Sequence, residues 1–389
     1  MHIERVQRVL GTSLREATCV LLLAFALCGA QRVAAQPLAA GTEPAAAAPS
    51  ADPTAPPTAA PAEPAPAATP EAAPAAAAPA AVAPADAAPP AAPPAPPPYS
   101  LPFQLRPVAV SNVVRSDTAI ALYENPTSHN GGTTVASMLL GSLKLTDSFC
   151  VLLRLGVVGN SPPDGAMATT PKGMVPLEGK TNFINPAIGG TYSWKLGSDF
   201  KLAAFLGVTV PIGMGGGNTP NPSNAEANNR GILARSALDN AMFAVNYLTI
   251  FPGVDFAYVA HGLTVQAEAT LLQLERVRGS DNPANKDSSR TNFTAGLHVG
   301  YFFIPQLSAG VELRHQRWLS TPSTIKGATK PYTEDELRDT TTLAFGVRGH
   351  FKFGDKFWLR PALSFAMPFD NPMSKQKYKI VQIDVPFYF

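Results

Sequence analysis

The sequence predicts an all-β fold, an antiparallel up-and-down transmembrane β-barrel of about twelve strands over residues 99–389, preceded by a disordered Ala/Pro-rich segment. Three observations predict it. Apolar and polar residues alternate with period two in runs longer than the five or six residues usual for soluble sheets. The connections between runs are tight and long by turns, and aromatic residues gather at run ends, as an interfacial girdle requires.

Composition sets the frame. Of 389 residues only 15% are charged while Pro numbers 40, and the formal net charge is +2. So small a charge leaves no footprint for a polyanion, which argues against a nucleic-acid partner.

Residues 1–35 read as a secretory signal. Arg5, Arg8 and Arg15 form a basic start, residues 17–30 are apolar and uncharged, and Val33-Ala34-Ala35 supplies the small residues of a cleavage site after Ala35. The apolar run is shorter than the roughly 20 residues of a membrane-spanning helix. A lipoprotein signal with Cys28 acylated is the rival reading, and Leu27 stands where that motif wants a small residue. Cleavage leaves Cys150 alone, so no internal disulfide forms.

Residues 36–98 hold 29 Ala and 20 Pro, with five acidic residues and no Lys or Arg. Proline at this density blocks helix and ladder alike and favours extended polyproline II. At about 3.1 Å per residue the segment reaches on the order of 200 Å. It reads as a periplasmic linker, either passive or a strut touching the cell wall.

The barrel strands follow in order. Alternation places them at residues 103–114, 133–146, 149–160, 182–196, 199–213, 243–259, 262–279, 291–304, 307–320, 340–353, 356–369 and 378–389. The clearest runs are 341–353, where Leu343, Phe345, Val347, Phe351 and Phe353 oppose Arg348, His350 and Lys352, and 357–369, where Leu363, Phe365, Met367 and Phe369 oppose Arg360 and Ser364. Asp147-Ser148, Gly197-Ser198, Ala260-His261-Gly262, Pro305-Gln306 and Gly354-Asp355-Lys356 read as tight turns at one end. A secreted β-sandwich also alternates. Run length, lopsided loops and the terminal aromatics Tyr192, Trp194, Phe351, Phe353, Phe357 and Phe369 favour the barrel.

The final run carries a family pattern. In Gln382-Ile383-Asp384-Val385-Pro386-Phe387-Tyr388-Phe389, the terminal Phe389, Phe387 and the polar Gln382 resemble the C-terminal strand of the outer-membrane β-barrel (porin-like) proteins of Gram-negative bacteria. The resemblance implies outer-membrane lipid around the barrel and recognition of this strand by the barrel assembly machinery. Asp384 departs from the pattern, which usually has Gly there.

Faces opposite the apolar ones point inward, so the expected lumen lining is Lys144, Arg154, Lys195, Lys201, Asp255, Glu268, Glu312, Arg314, Arg348, Lys352, Arg360 and Asp384. Inward glycines at 189, 207, 253, 296, 300, 310 and 346 are read as room for those long side chains to cross. A polar pore and a plug of paired charges both fit twelve strands, which lie between filled eight-strand barrels and open porins. The longest loop, residues 214–240, begins with a glycine run and ends in a stretch, residues 225–241, read as a short helix with Arg230, Arg235 and Asp239. It is the third external loop, and the resemblance to porins, whose third external loop forms the constriction, implies the same role here. No serine follows His261, His298, His315 or His350 two residues on, and no His, Cys or carboxylate spacing suits catalysis, a metal or a cofactor. The expected function is a channel for passive or facilitated passage of small polar solutes. The alternative is a structural or adhesive barrel with a plugged lumen.

Overall fold

The computed structural model describes residues 99–282, 286–354 and 356–389. The signal with Ala35, the 36–98 linker and Asp355 of one tight turn lie outside the described residues.

The chain closes into a ring of twelve antiparallel staves. The first three are β1 (Val113–Glu124), β2 (Gly131–Lys144) and β3 (Phe149–Ser161). A small hairpin, β4 (Met167–Thr170) with β5 (Gly173–Pro176), stands in the next loop. Two segments, β6 (Lys180–Phe183) and β7 (Ala187–Leu196), pair successively along β3 as one stave. After β8 (Phe200–Thr209) a long loop carries α1 (Pro222–Ala234) and α2 (Asn240–Phe243). The ring continues through β9 (Tyr247–Ala260), β10 (Leu263–Arg276), β11 (Ser289–Ile304) and β12 (Leu307–Trp318). A short helix α3 (Glu334–Arg338) precedes β13 (Asp339–Gly349), extended by β14 (Phe351–Phe353). The last staves are β15 (Phe357–Leu359) with β16 (Ala362–Pro368), and β17 (Lys379–Tyr388). Pairing of β17 with β1, from Val113↔Tyr388 to Leu122↔Lys379, closes the ring and leaves no free edge.

The first strand differs from expectation. Residues 113–124 form β1, whereas most of the run read as a strand at 103–114 is not part of the ring at all. Leu101, Phe103 and Leu105 alternate as strongly as any stave, but they are buried inside the barrel. In β1 the outward residues include Ser116 and Thr118, so its own alternation is weak.

Side-chain period two sorts the wall. Outward positions such as Ile188, Leu206, Val254, Leu297, Val347 and Leu363 are exposed, while the inward neighbours are charged, polar or small. Tyr192, Trp194, Phe200, Phe303, Phe353 and Phe357 are exposed around the end that carries the short turns, and Phe369 lies at the other end. At that short-turn end β9 passes to β10 through two residues, His261 at φ 52° and Gly262 at φ 78°. Two consecutive positive φ values are what a tight hairpin needs to follow the strand twist. No helix among the described residues is long and apolar enough to cross a membrane.

Candidate functional site

The lumen is the site, and it is occupied by two stretches of the chain that enter from opposite ends. From the short-turn end, residues 99–112 loop into the barrel and return to start β1. Leu101, Phe103 and Leu105 are at most 2% exposed, and each such burial is worth about 1.5–3 kcal/mol. Their polar main chain is met by wall side chains. The Glu312 carboxylate accepts from the amides of Phe103 (2.8 Å) and Gln104 (3.1 Å), and Glu268 accepts from that of Arg106 (2.6 Å). Arg348 donates to the carbonyls of Leu101 (3.2 Å) and Pro102 (3.0 Å), Arg115 to those of Pro102 and Phe103, and Gln382 to that of Phe103 (3.1 Å). Gln266 donates to the carbonyl of Arg106 (2.5 Å), and Ser193 to that of Val108 (2.7 Å). The bonds made by the Glu and Arg side chains are charge-assisted and roughly twice as strong as neutral ones.

The wall glycines serve this segment. A side chain at Gly296 would run into Leu105, one at Gly300 into Ser100, and one at Gly253 would lie 2.5 Å from Arg106 Nη2. The space at these three positions is taken by side chains of the inserted segment and not, as expected, by charged wall side chains crossing the lumen.

From the long-loop end comes the α1–α2 loop. Asn221 caps α1, its side chain accepting from the amides of Ser223 and Asn224, and Pro222 stands at the first helical position, where its missing N–H costs nothing. The expected helix over 225–241 is split, because Ser236 (φ 52°) and Ala237 (φ 56°) turn left-handed between α1 and α2. Such residues cost about 1–2 kcal/mol each. The turn presents Arg235 to Asp117 of β1 (2.7 Å) and to Asp239 (2.8 Å), and Asp239 also accepts from Arg154 (3.2 Å). Arg230 sits higher, paired with Glu226 (2.6 Å) and over the Tyr123 ring (4.4 Å). The two inserts meet where Gln104 Nε2 donates to the Arg235 carbonyl (2.7 Å) and to Asp239 (3.2 Å). A cavity of about 30 Å³, lined among others by Arg106, Arg154, Asp239 and Glu268, lies beside this contact.

Asp255, Glu268, Glu312, Arg314, Arg348 and Asp384 are buried inside the barrel, and Arg154 is nearly so. They are paired at short range. Asp384 lies 2.6 Å from both Arg115 and Arg348, Glu312 lies 2.7 Å from Arg314, and Arg106 lies 3.5 Å from Asp255 and 3.3 Å from Glu268. Lys201 stands under the Tyr99 ring (5.3 Å), and Arg360 stacks on Tyr388 (4.8 Å). Lys144, Lys195 and Lys352 are exposed at the short-turn rim instead of lining the lumen, because their strands end there; Lys144 pairs with Asp147 of the adjoining turn (2.6 Å). Gln382 points inward and is bonded to Asp117 (2.8 Å) as well as to the inserted segment, while Phe387 and Phe389 are on the outward face. Sequence reasoning missed Gln104, Arg106, Arg115, Asp117 and Gln266. Arg115 and Asp117, two apart in a strand, share one face, and that spacing was the available signal.

No protein-family model and no curated protein matches the chain. Among solved structures it is similar to the COG4313 outer membrane channel from Pseudomonas putida F1, at 16% identity and TM-score 0.43 over 74% of this chain and 98% of that one. It is also similar to the KdgM porin (10% identity, TM-score 0.37, 71% of this chain and 99% of that one). The translocator domain of the autotransporter NalP from Neisseria meningitidis gives 12% identity and TM-score 0.37, over 74% and 90% of the two chains.

Proposed function

We propose that the protein is an outer-membrane channel for small polar solutes, held shut in this conformation by residues 99–112 and the α1–α2 loop. One observation carries this reading: neither insert contributes a strand to the ring, so either can leave the lumen without breaking a strand pair. What would then remain is a wall of Arg, Asp, Glu, Gln, Thr and Gly facing water, the lining a polar solute needs. The exposed apolar band and its aromatic rim suit lipid, and a secreted chain with outward Phe387 and Phe389 at its end suits delivery to the outer membrane by the assembly machinery, with the linker in the periplasm.

A reversible staple tests the reading. Leu105→Cys with Gly296→Cys, in a Cys150→Ser background, joins insert to wall at a point of direct contact. In planar bilayers the reduced protein should show discrete conductance steps that oxidation abolishes. Steps in neither state would favour the structural barrel with a closed lumen, and steps in both would mean that residues 99–112 do not close the path.

A further inference from the structure

The wall of the lumen treats residues 100–108 as a ligand. Eight wall side chains from six staves (Arg115, Ser193, Thr264, Gln266, Glu268, Glu312, Arg348 and Gln382) bond to amides or carbonyls of this stretch. Every one of these contacts reads main chain, which any peptide offers. Carboxylates face N–H groups and guanidiniums face carbonyls, so the polarity and direction of the bound chain are specified. Side chains are read where Leu101, Phe103 and Leu105 are enclosed, where Gly253, Gly296 and Gly300 leave room for the side chains of Arg106, Leu105 and Ser100, and where Gln104 and Arg106 meet Asp239, Asp255 and Glu268. Ring closure requires none of this, since the segment precedes β1 and joins no ladder.

We infer that the lumen is a receptor for a peptide main chain, filled here in cis by residues 100–108, and that short peptides with apolar residues at alternate positions are the class of solute it binds when that segment withdraws. The inference rests on the channel reading for its biological use, but binding itself is measurable without conduction.

The test severs the ligand from the receptor after folding. A protease recognition sequence is inserted between Ala109 and Val110, both half-exposed. The full chain is folded in detergent, cut, and washed. A fluorescent synthetic peptide spanning residues 99–109 is then titrated and its anisotropy followed. Saturable binding is expected. A peptide N-methylated at Phe103, Gln104 and Arg106 loses the three amides that Glu312 and Glu268 accept, and should bind at least about a hundredfold more weakly, given what hydrogen bonds to charged groups contribute. A Gln104→Ala peptide keeps its main chain and loses two side-chain bonds, one of them to the Asp239 carboxylate, so it should bind more weakly than the parent peptide but better than the N-methylated one, which loses three bonds to carboxylates. As a check that does not alter the peptide, Glu312→Gln in the cut protein should weaken binding about tenfold or more, while Gln104→Ala remains the better ligand than the N-methylated form. Equal binding by the methylated and unmethylated peptides would overturn main-chain recognition. A severed segment that never exchanges, or no saturable binding, would overturn the receptor itself. Binding without any conductance in bilayers would leave this inference standing and remove the channel reading, and conductance without binding would do the reverse.

Discussion

Replacing Phe103 by Ala isolates the docking of the inserted segment from the stability of the ring. The ring of Phe103 is 2% exposed, stands edge-on to His298 at 6.0 Å and lies 5.8 Å from the Arg348 guanidinium. Truncating a buried Phe costs about 3–5 kcal/mol. Because residues 99–112 pair with no strand, this cost falls on the equilibrium between docked and withdrawn segment and not on barrel closure. At about 1.4 kcal/mol per tenfold change, the withdrawn fraction should rise by at least about a hundredfold. Two assays read it. Open probability in planar bilayers should rise by that factor until it saturates, and the amides of Phe103, Gln104 and Arg106 should exchange with deuterium faster by a similar factor in micelles. Gln104→Ala, which forfeits one bond to a backbone carbonyl and one to the Asp239 carboxylate of the α1–α2 loop, should shift both in the same direction. Unchanged exchange and unchanged gating in Phe103→Ala would refute the claim that burial of this segment holds the lumen shut.

Asp384→Asn leaves Arg115 and Arg348 without their shared carboxylate; removing one partner of a buried ion pair costs about 3–5 kcal/mol, so the urea midpoint of the folded barrel should fall, and a midpoint equal to wild type would show the pairs to be idle. Glu336 accepts from the Thr333 amide, then from Asn371 and Lys375, which holds its carboxyl down to about 2. A depressed value stabilises the loop above the unfolded carboxylate range, a contribution lost only as pH falls through about 2, so carboxyl NMR should show no titration of this group near pH 4.5; a midpoint there would contradict the capping geometry. Cysteine at Ser288, in a Cys150→Ser background, should label from outside intact cells while cysteine at Ser198 in a short turn should not, and the opposite pattern would invert the orientation. Deleting Phe389 should deplete the heat-modifiable form in membranes while the purified chain still folds in detergent; undiminished membrane levels would remove the assembly role of that residue.

Much of the architecture was legible along the chain because strand geometry is local. Alternation at 341–353 and 357–369 assigned the outward and inward faces of β13 and β16 correctly, since side chains in a strand point to opposite sides whatever the rest of the molecule does. The tight turns were legible for the same reason, as at His261-Gly262. The longest loop was also marked by composition, but its helix starts at Pro222 and is split after Ala234, which the reading over 225–241 did not show. What alternation does not report is which medium each face meets. Leu101, Phe103 and Leu105 and the outward residues of β13 have one pattern, yet the first are enclosed by the wall and the second lie on its outside. Only the closed ring decides between them, because an inside exists only once β17 has paired with β1. The same holds for the charges. Asp384 looked like a departure from a terminal-strand pattern, and the tertiary structure makes it the common partner of Arg115 and Arg348, residues 269 and 36 positions away along the chain. Likewise Gly296 and Gly300 read as empty space until the inserted segment occupies it. Local periodicity determined the wall of this protein, and long-range closure alone determined what fills it, because the contacts that dock residues 99–112 join parts of the chain that no local pattern brings together.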